Sequence, residues 1–145
     1  MKTILVAVDG SDHSHRAVEL AADIAVKYDA RLVLLHAIDN RPLSDAERRL
    51  AKAEYADRIE PRVMASDVMD VRALGPRGVE PIFKHHAETG LIIRTALGEG
   101  LLDAASRDAR DKGVTEVETL LENGDPAETI LDAARNQKAN LIVIG

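Results

Sequence analysis

Apolar and polar residues follow two rhythms along this chain, and elements change where the rhythm changes. Ile4 to Val8, ILVAV, is an unbroken apolar run that reads as a strand covered on both faces. The polar stretch DGSDHS follows as a turn, offering helix caps at Ser11, Asp12 and Ser14. Beyond it, Ala17, Ala21, Ile24 and Tyr28, flanked by Val18 and Ala25, recur every three or four residues, while Arg16, Glu19, Asp23 and Lys27 take the other side. Arg31 to Ala37, RLVLLHA, returns to the strand pattern. Strand, amphipathic helix and strand at this spacing predict a βαβ unit with parallel strands.

The last third repeats the sequence of elements. Leu101, Leu102, Ala105 and Ala109 mark one face of a helix that closes at Gly113, a residue tolerant of positive φ. In Val117 to Leu121 the apolar residues are interrupted by Glu118 and Thr119, which predicts a less deeply buried strand. NGDPAETI then reads as a loop into a capped helix, with Asp125 as N-cap, Pro126 at the first helical position and Glu128 placed for a capping box. The helix runs to about Lys138 and delivers the chain to Leu141–Ile144, predicted as a strand buried on both faces and followed by Gly145. Two such halves predict a doubly wound α/β parallel sheet with helices on both faces. A ligand would lie at the carboxyl edge, where strand order reverses.

Between the halves the pattern fades. Ser44 with Glu47 three residues on opens a helix through DAERRLAKAEYADRI, which Pro61 interrupts or ends. Residues 75–100 hold five of the nine glycines and two of the five prolines, which predicts loops with a short helix or strand, not one long element. The whole is read as one domain over 1–145 with a long irregular insertion at about 61–100. That insertion is either an oligomer or partner surface or a disordered excursion.

Composition narrows the function. The chain of 145 residues carries a formal charge of −6, no tryptophan and one phenylalanine, which argues against a nucleic-acid surface. There is no cysteine, so disulfides, thiolate metal sites and cysteine nucleophiles are excluded. The apolar run at the N-terminus is too short for a signal peptide or a membrane span, and the chain is read as soluble and cytoplasmic. His13, His15, His36, His85 and His86 show no ligand spacing, and no G-x-S-x-G elbow surrounds Ser11 or Ser14.

Four stretches taken together, ILVAVDGS, LLHAID, NGDPAETI and ANLIVIG, resemble the universal stress protein family in order and spacing. The resemblance implies a five-stranded parallel sheet of order 3-2-1-4-5, a dimer or higher homo-oligomer and, in one branch, an ATP site. By the same resemblance, Ala7 and Val8 line the nucleotide, and Asp9 lies near the phosphates and their Mg2+. Ala37 contacts the adenine through its backbone, and Ile144 with Gly145 begin a glycine-rich phosphate loop. The expectation is that the biological chain continues past Gly145 into that loop and a fifth strand, and that the 145 residues alone bind ATP poorly. Asp9 and Gly145 also have simpler readings, as a helix cap or turn residue and as plain turn geometry.

The function implied is an ATP-binding, stress-response regulatory module. In it, adenine nucleotide alters a dimer or a partner such as a transporter or a signalling protein, without efficient catalysis. The alternatives are an ATP-independent dimerisation or interaction protein of the same family and an adenylating or ATP-splitting enzyme of the same fold group. VDGSDHS matches neither the SGG loop nor the histidine pair of such enzymes.

Overall fold

The computed structural model describes residues 1–54, 57, 59 and 80–145. Strands β1 (Thr3–Ala7), β2 (Arg31–Ile38), β3 (Val117–Asn123) and β4 (Leu141–Val143) form a parallel sheet of order β3-β2-β1-β4. The helices are α1 (Asp12–Tyr28), α2 (Asp45–Glu54), α3 (Glu80–Asp111) and α4 (Pro126–Asn136). The doubly wound reading therefore holds, with four strands in the order expected of the first four. The chain divides into two compact units, residues 1–39 with 98–145, and residues 40–97.

In the first unit, strand alternation sorts the core into two layers. Ile4, Val6 and Val8 of the first strand segment and Leu32 and Leu34 of β2 pack against Ala17, Val18, Ala21, Ala22 and Ala25 of α1 and Leu102, Ala105 and Ala109 of α3. Leu5, Val33 and Leu35 point the other way, to Ala133 and Ile130 of α4. The alanine-rich faces of α1 and α3 let both helices sit close to the branched residues of the sheet.

The helix ends follow the capping chemistry. Ser11 caps α1 by accepting from Ser14 N–H at 3.1 Å, and Asp125 caps α4 by accepting from Ala127 and Glu128 N–H at 3.0 and 3.1 Å. Gly113 takes φ +102° after α3, in the left-handed region. At the amino ends of the strands, Asn140 Oδ1 accepts from Lys2 and Thr3 N–H at 2.8 and 3.1 Å, joining the approach to β4 onto β1.

In the second unit, Ser44 and Glu47 form the expected reciprocal box. Glu47 Oε2 accepts from Ser44 N–H at 2.7 Å and Ser44 Oγ accepts from Glu47 N–H at 3.2 Å. Partial burial pushes the Glu47 carboxyl up, but the Ser44 bonds and the Arg41 and Arg94 guanidinium groups outweigh it and hold its pKa below the ordinary range. Ala51, Ile59 and Ala96 make a small core with Ile92, Ile93 and Leu97.

Two expectations are corrected. Residues 80–100 belong to one long helix, α3, not to loops. Pro81 stands in its first turn, where a missing N–H is tolerated, and Gly98 is a close-approach glycine, not a helix stop: a Cβ there would lie 2.7 Å from both His36 and Leu121. Residues 61–79, the rest of the expected insertion, lie outside the described residues. The last strand is also not buried on both faces. Among the described residues it pairs only with β1, and Ile142 is 36% and Ile144 66% exposed. An edge position with cover on one side explains the difference from β1, which has a strand on each flank.

Candidate functional site

The carboxyl edge of the sheet is built from the ends of β1, β2 and β4. Val8 leaves β1 still tied to its neighbour, its N–H donating to the Leu35 carbonyl at 2.8 Å. Asp9 then opens a tight polar turn. Its N–H donates to Ser14 Oγ at 3.2 Å, and its Oδ1 accepts from Ser11 N–H at 2.8 Å. Gly10 makes the turn possible with φ +83°, a conformation that L side chains rarely adopt. Ser14 is buried at the bottom of this turn while Asp9 is exposed at its top.

Partial burial raises the pKa of the Asp9 carboxyl, but hydrogen bonds from Ser11 and Ser14 outweigh that and hold it below the usual carboxylate value of 3.8. The group is therefore an anion at neutral pH. Beside it, the first N–H groups of α1 lack acceptors within the helix and give this end a partial positive charge.

The end of the chain arrives at the same place. A Cβ on Gly145 would overlap the His13 carbonyl and lie 2.7 Å from Ser14 N, so the Gly145 backbone is pressed against the first turn of α1. Ser14 is thus approached from both sides, its Oγ by the Asp9 N–H and its backbone N by Gly145, where a Cβ would clash. Ala7 and Val8 lie directly before it on the first strand. Ala37 lies two residues beyond Leu35 at the same edge, paired with Glu122 of β3 and facing away from the α1 and α3 layer. Ile144 projects into solvent.

One residue at this edge carries more than its sequence position announces. His36 Nδ1 lies 2.6 Å from the Val8 carbonyl oxygen. A carbonyl can only accept, so Nδ1 carries the proton. The only sequence signal is alternation, which places this polar residue on the face of Leu32 and Leu34.

A hollow of about 410 Å³ lies at the other end of the sheet, lined by Lys2, Thr3, Arg31, Gln137, Lys138 and Asn140. Its Arg31 is held by Glu118 at 2.7 Å and Gln137 Oε1 at 3.0 Å. Arg31 and Asn140 are thus engaged by neighbouring groups, while Lys2 and Lys138 add positive charge to the lining. Among the described residues, no three His, Asp or Glu side chains gather as a protein-only metal site requires, and no helix is long and apolar enough to cross a membrane.

Known proteins resemble the chain throughout its length. The model of the universal stress protein family matches residues 1–145. A universal stress protein of Thermus aquaticus, from the QAH/OAS sulfhydrylase 3′ region, is 32% identical over 144 residues, covering 99% of this chain and 76% of that one. A universal stress protein family structure from Burkholderia pseudomallei superposes with a TM-score of 0.60 at 25% identity, covering 99% of this chain and 80% of that one. A universal stress protein solved in complex with cAMP gives a TM-score of 0.57 at 25% identity, covering 99% and 75%. The four motifs, the strand order and the match over 1–145 agree, and the chain belongs to the universal stress protein family.

Proposed function

We propose that this chain is an adenine-nucleotide-binding regulatory module of the stress response, with its site at the carboxyl edge of β1 and β4. The observation that carries the reading is that the Asp9 turn and Gly145 both pack on the start of α1 at Ser14, so an anionic carboxylate, helix N–H groups and a side-chain-free backbone lie at the same end of the sheet. The cAMP complex of a relative supports an adenine ligand. In this reading Ala7 and Val8 line the nucleotide, the Ala37 backbone meets the adenine, and Ile144 and Gly145 approach the phosphates.

A single carboxylate suits Mg2+ that is completed by phosphate oxygens and water, not a cation held by protein alone. Asp9 would hold Mg2+ in that way. The cation offsets the repulsion between Asp9 and the phosphates.

Catalysis is not part of the proposed role: nucleotide occupancy changes a homodimer, or its fit to a transporter or signalling protein, in the cytoplasm. Residues 1–145 act as one family domain that carries the segment around 61–100 as an insertion.

Heat release of copurified nucleotide, identified by chromatography, tests this directly. Adenine nucleotide, in preference to any other nucleotide, is the expected result. A nucleotide-free preparation that also gives no calorimetric signal with Mg-ATP would instead favour an ATP-independent interaction protein.

A further inference from the structure

We infer that one turn of α3, Gly98 to Leu101, seats the Asp9 turn, with His36 as the positioning residue between helix and loop. Two contacts carry this. A Cβ on Gly98 would lie 2.7 Å from His36 Cδ2, so the helix backbone lies directly against the imidazole ring. The ring in turn holds the Val8 carbonyl through Nδ1–H at 2.6 Å, immediately before Asp9. One helical step further, Leu101 presses on the other side of the loop: a Cβ on Gly10 would lie 2.9 Å from Leu101 Cδ2. Gly98 and Leu101 are three residues apart and therefore share one face of α3. Val8 and Gly10 flank Asp9, so the two contacts fix the backbone on both sides of the carboxylate.

The arrangement also accounts for Gly98. Glycine in a helix interior is unfavourable relative to alanine, and its place here is set by the space the imidazole occupies. Leu121 closes the same space from β3, with its Cδ1 also 2.7 Å from the position of a Gly98 Cβ. The ring is left one seat, with its protonated nitrogen against the carbonyl.

The binding arm of the test rests on the nucleotide reading, whereas the spectroscopic arm does not. His36→Leu keeps the apolar volume and loses the hydrogen bond. His36→Asn restores a donor near the Nδ1 position. In the ligand-free protein, the amide resonances of Asp9 and Ser11 shift in His36→Leu and return toward the parent in His36→Asn. Gly98→Ala shifts the same resonances with His36 unchanged, because the added methyl displaces the ring. With Mg-ATP, His36→Leu weakens binding by about three- to tenfold, the range of one neutral hydrogen bond, and His36→Asn recovers most of it.

Unmoved Asp9 and Ser11 resonances in both His36→Leu and Gly98→Ala would overturn the inference. So would a His36→Asn variant that behaves like His36→Leu in the same spectra. Failure of the parent chain to bind nucleotide would overturn the functional reading alone, because the spectra still decide the seating.

Discussion

The two ends of the parallel sheet hold similar kinds of residue in opposite states. At the amino end, Asn140 Oδ1 is taken by Lys2 and Thr3 N–H, and Arg31 is taken by Glu118 and Gln137. Those groups complete one another and hold β1, β2, β3 and the approach to β4 in register. At the carboxyl end, the polar bonds of the Asp9 turn are local, and they shape an exposed carboxylate beside a helix N-terminus. A hollow lined by Lys2, Arg31 and Lys138 lies at the first end, and an anionic carboxylate beside a helix N-terminus lies at the second, where the nucleotide site is proposed. A cavity locates space, whereas the state of the donors and acceptors around it locates function.

This contrast predicts that substitutions at the two ends separate binding from stability. The largest effect falls at the carboxyl end. Asp9→Ala weakens Mg-ATP binding by about ten- to a hundredfold, equal to roughly 1.5 to 3 kcal/mol for one charge-assisted contact, while the circular dichroism spectrum stays that of the parent. Calorimetry with magnesium present checks it, and an unchanged dissociation constant removes Asp9 from the site.

Asn140→Ala acts in the reverse sense. It leaves two backbone N–H groups without their acceptor and lowers stability by about 1 to 2 kcal/mol in urea unfolding, with nucleotide affinity unchanged. A matching loss of affinity would show that the two ends are not separable. Arg31→Ala follows at about 1 kcal/mol, discounted because the pair with Glu118 is partly exposed to solvent. Its unfolding midpoint falls, and its Mg-ATP titration overlays that of the parent.

The smallest effect concerns pH. The folded-state pKa of Asp9 lies below its ordinary value of 3.8, so the unfolded chain takes up this proton first as the solution is acidified. The contribution of Asp9 to stability is fully present above about pH 5 and is lost as the pH falls through the lowered folded value. The stability difference between the parent and Asp9→Asn is accordingly flat at neutral pH and closes in acid. A difference that instead widened below the ordinary carboxylate value would contradict the direction of this shift.

Much of the fold was legible because local signals agreed with one another. The apolar runs at Ile4 and Leu32, the caps at Ser11 and Asp125 and the Ser44–Glu47 box each mark an element that the structure contains. Three features were not legible, each for a physical reason. Residues 80–100 carry glycines that signal a loop locally, but Gly98 answers to a tertiary contact with His36 and sits inside a helix. Leu141 to Val143 has the composition of a central strand, and composition alone does not say whether a strand has one neighbour or two. His36 resembled the tail of a buried strand, since its hydrogen bond reaches a carbonyl 28 positions earlier and no spacing rule announces it. Strand order pointed to the carboxyl edge and the resemblance assigned roles to Asp9 and Gly145 there, but their shared contact with Ser14 of α1 became visible only in three dimensions.

The central claim is that the carboxyl edge, not the hollow at the amino end, takes adenine nucleotide. Titration of the isotope-labelled chain with Mg-ATP, followed residue by residue in an amide correlation spectrum, tests it most directly. The account predicts progressive shifts at Asp9 to Ser14, Ala37, Ile144 and Gly145, with Lys2, Arg31 and Asn140 unmoved. Shifts centred on Lys2, Arg31 and Lys138, or no shifts at millimolar nucleotide, would contradict it.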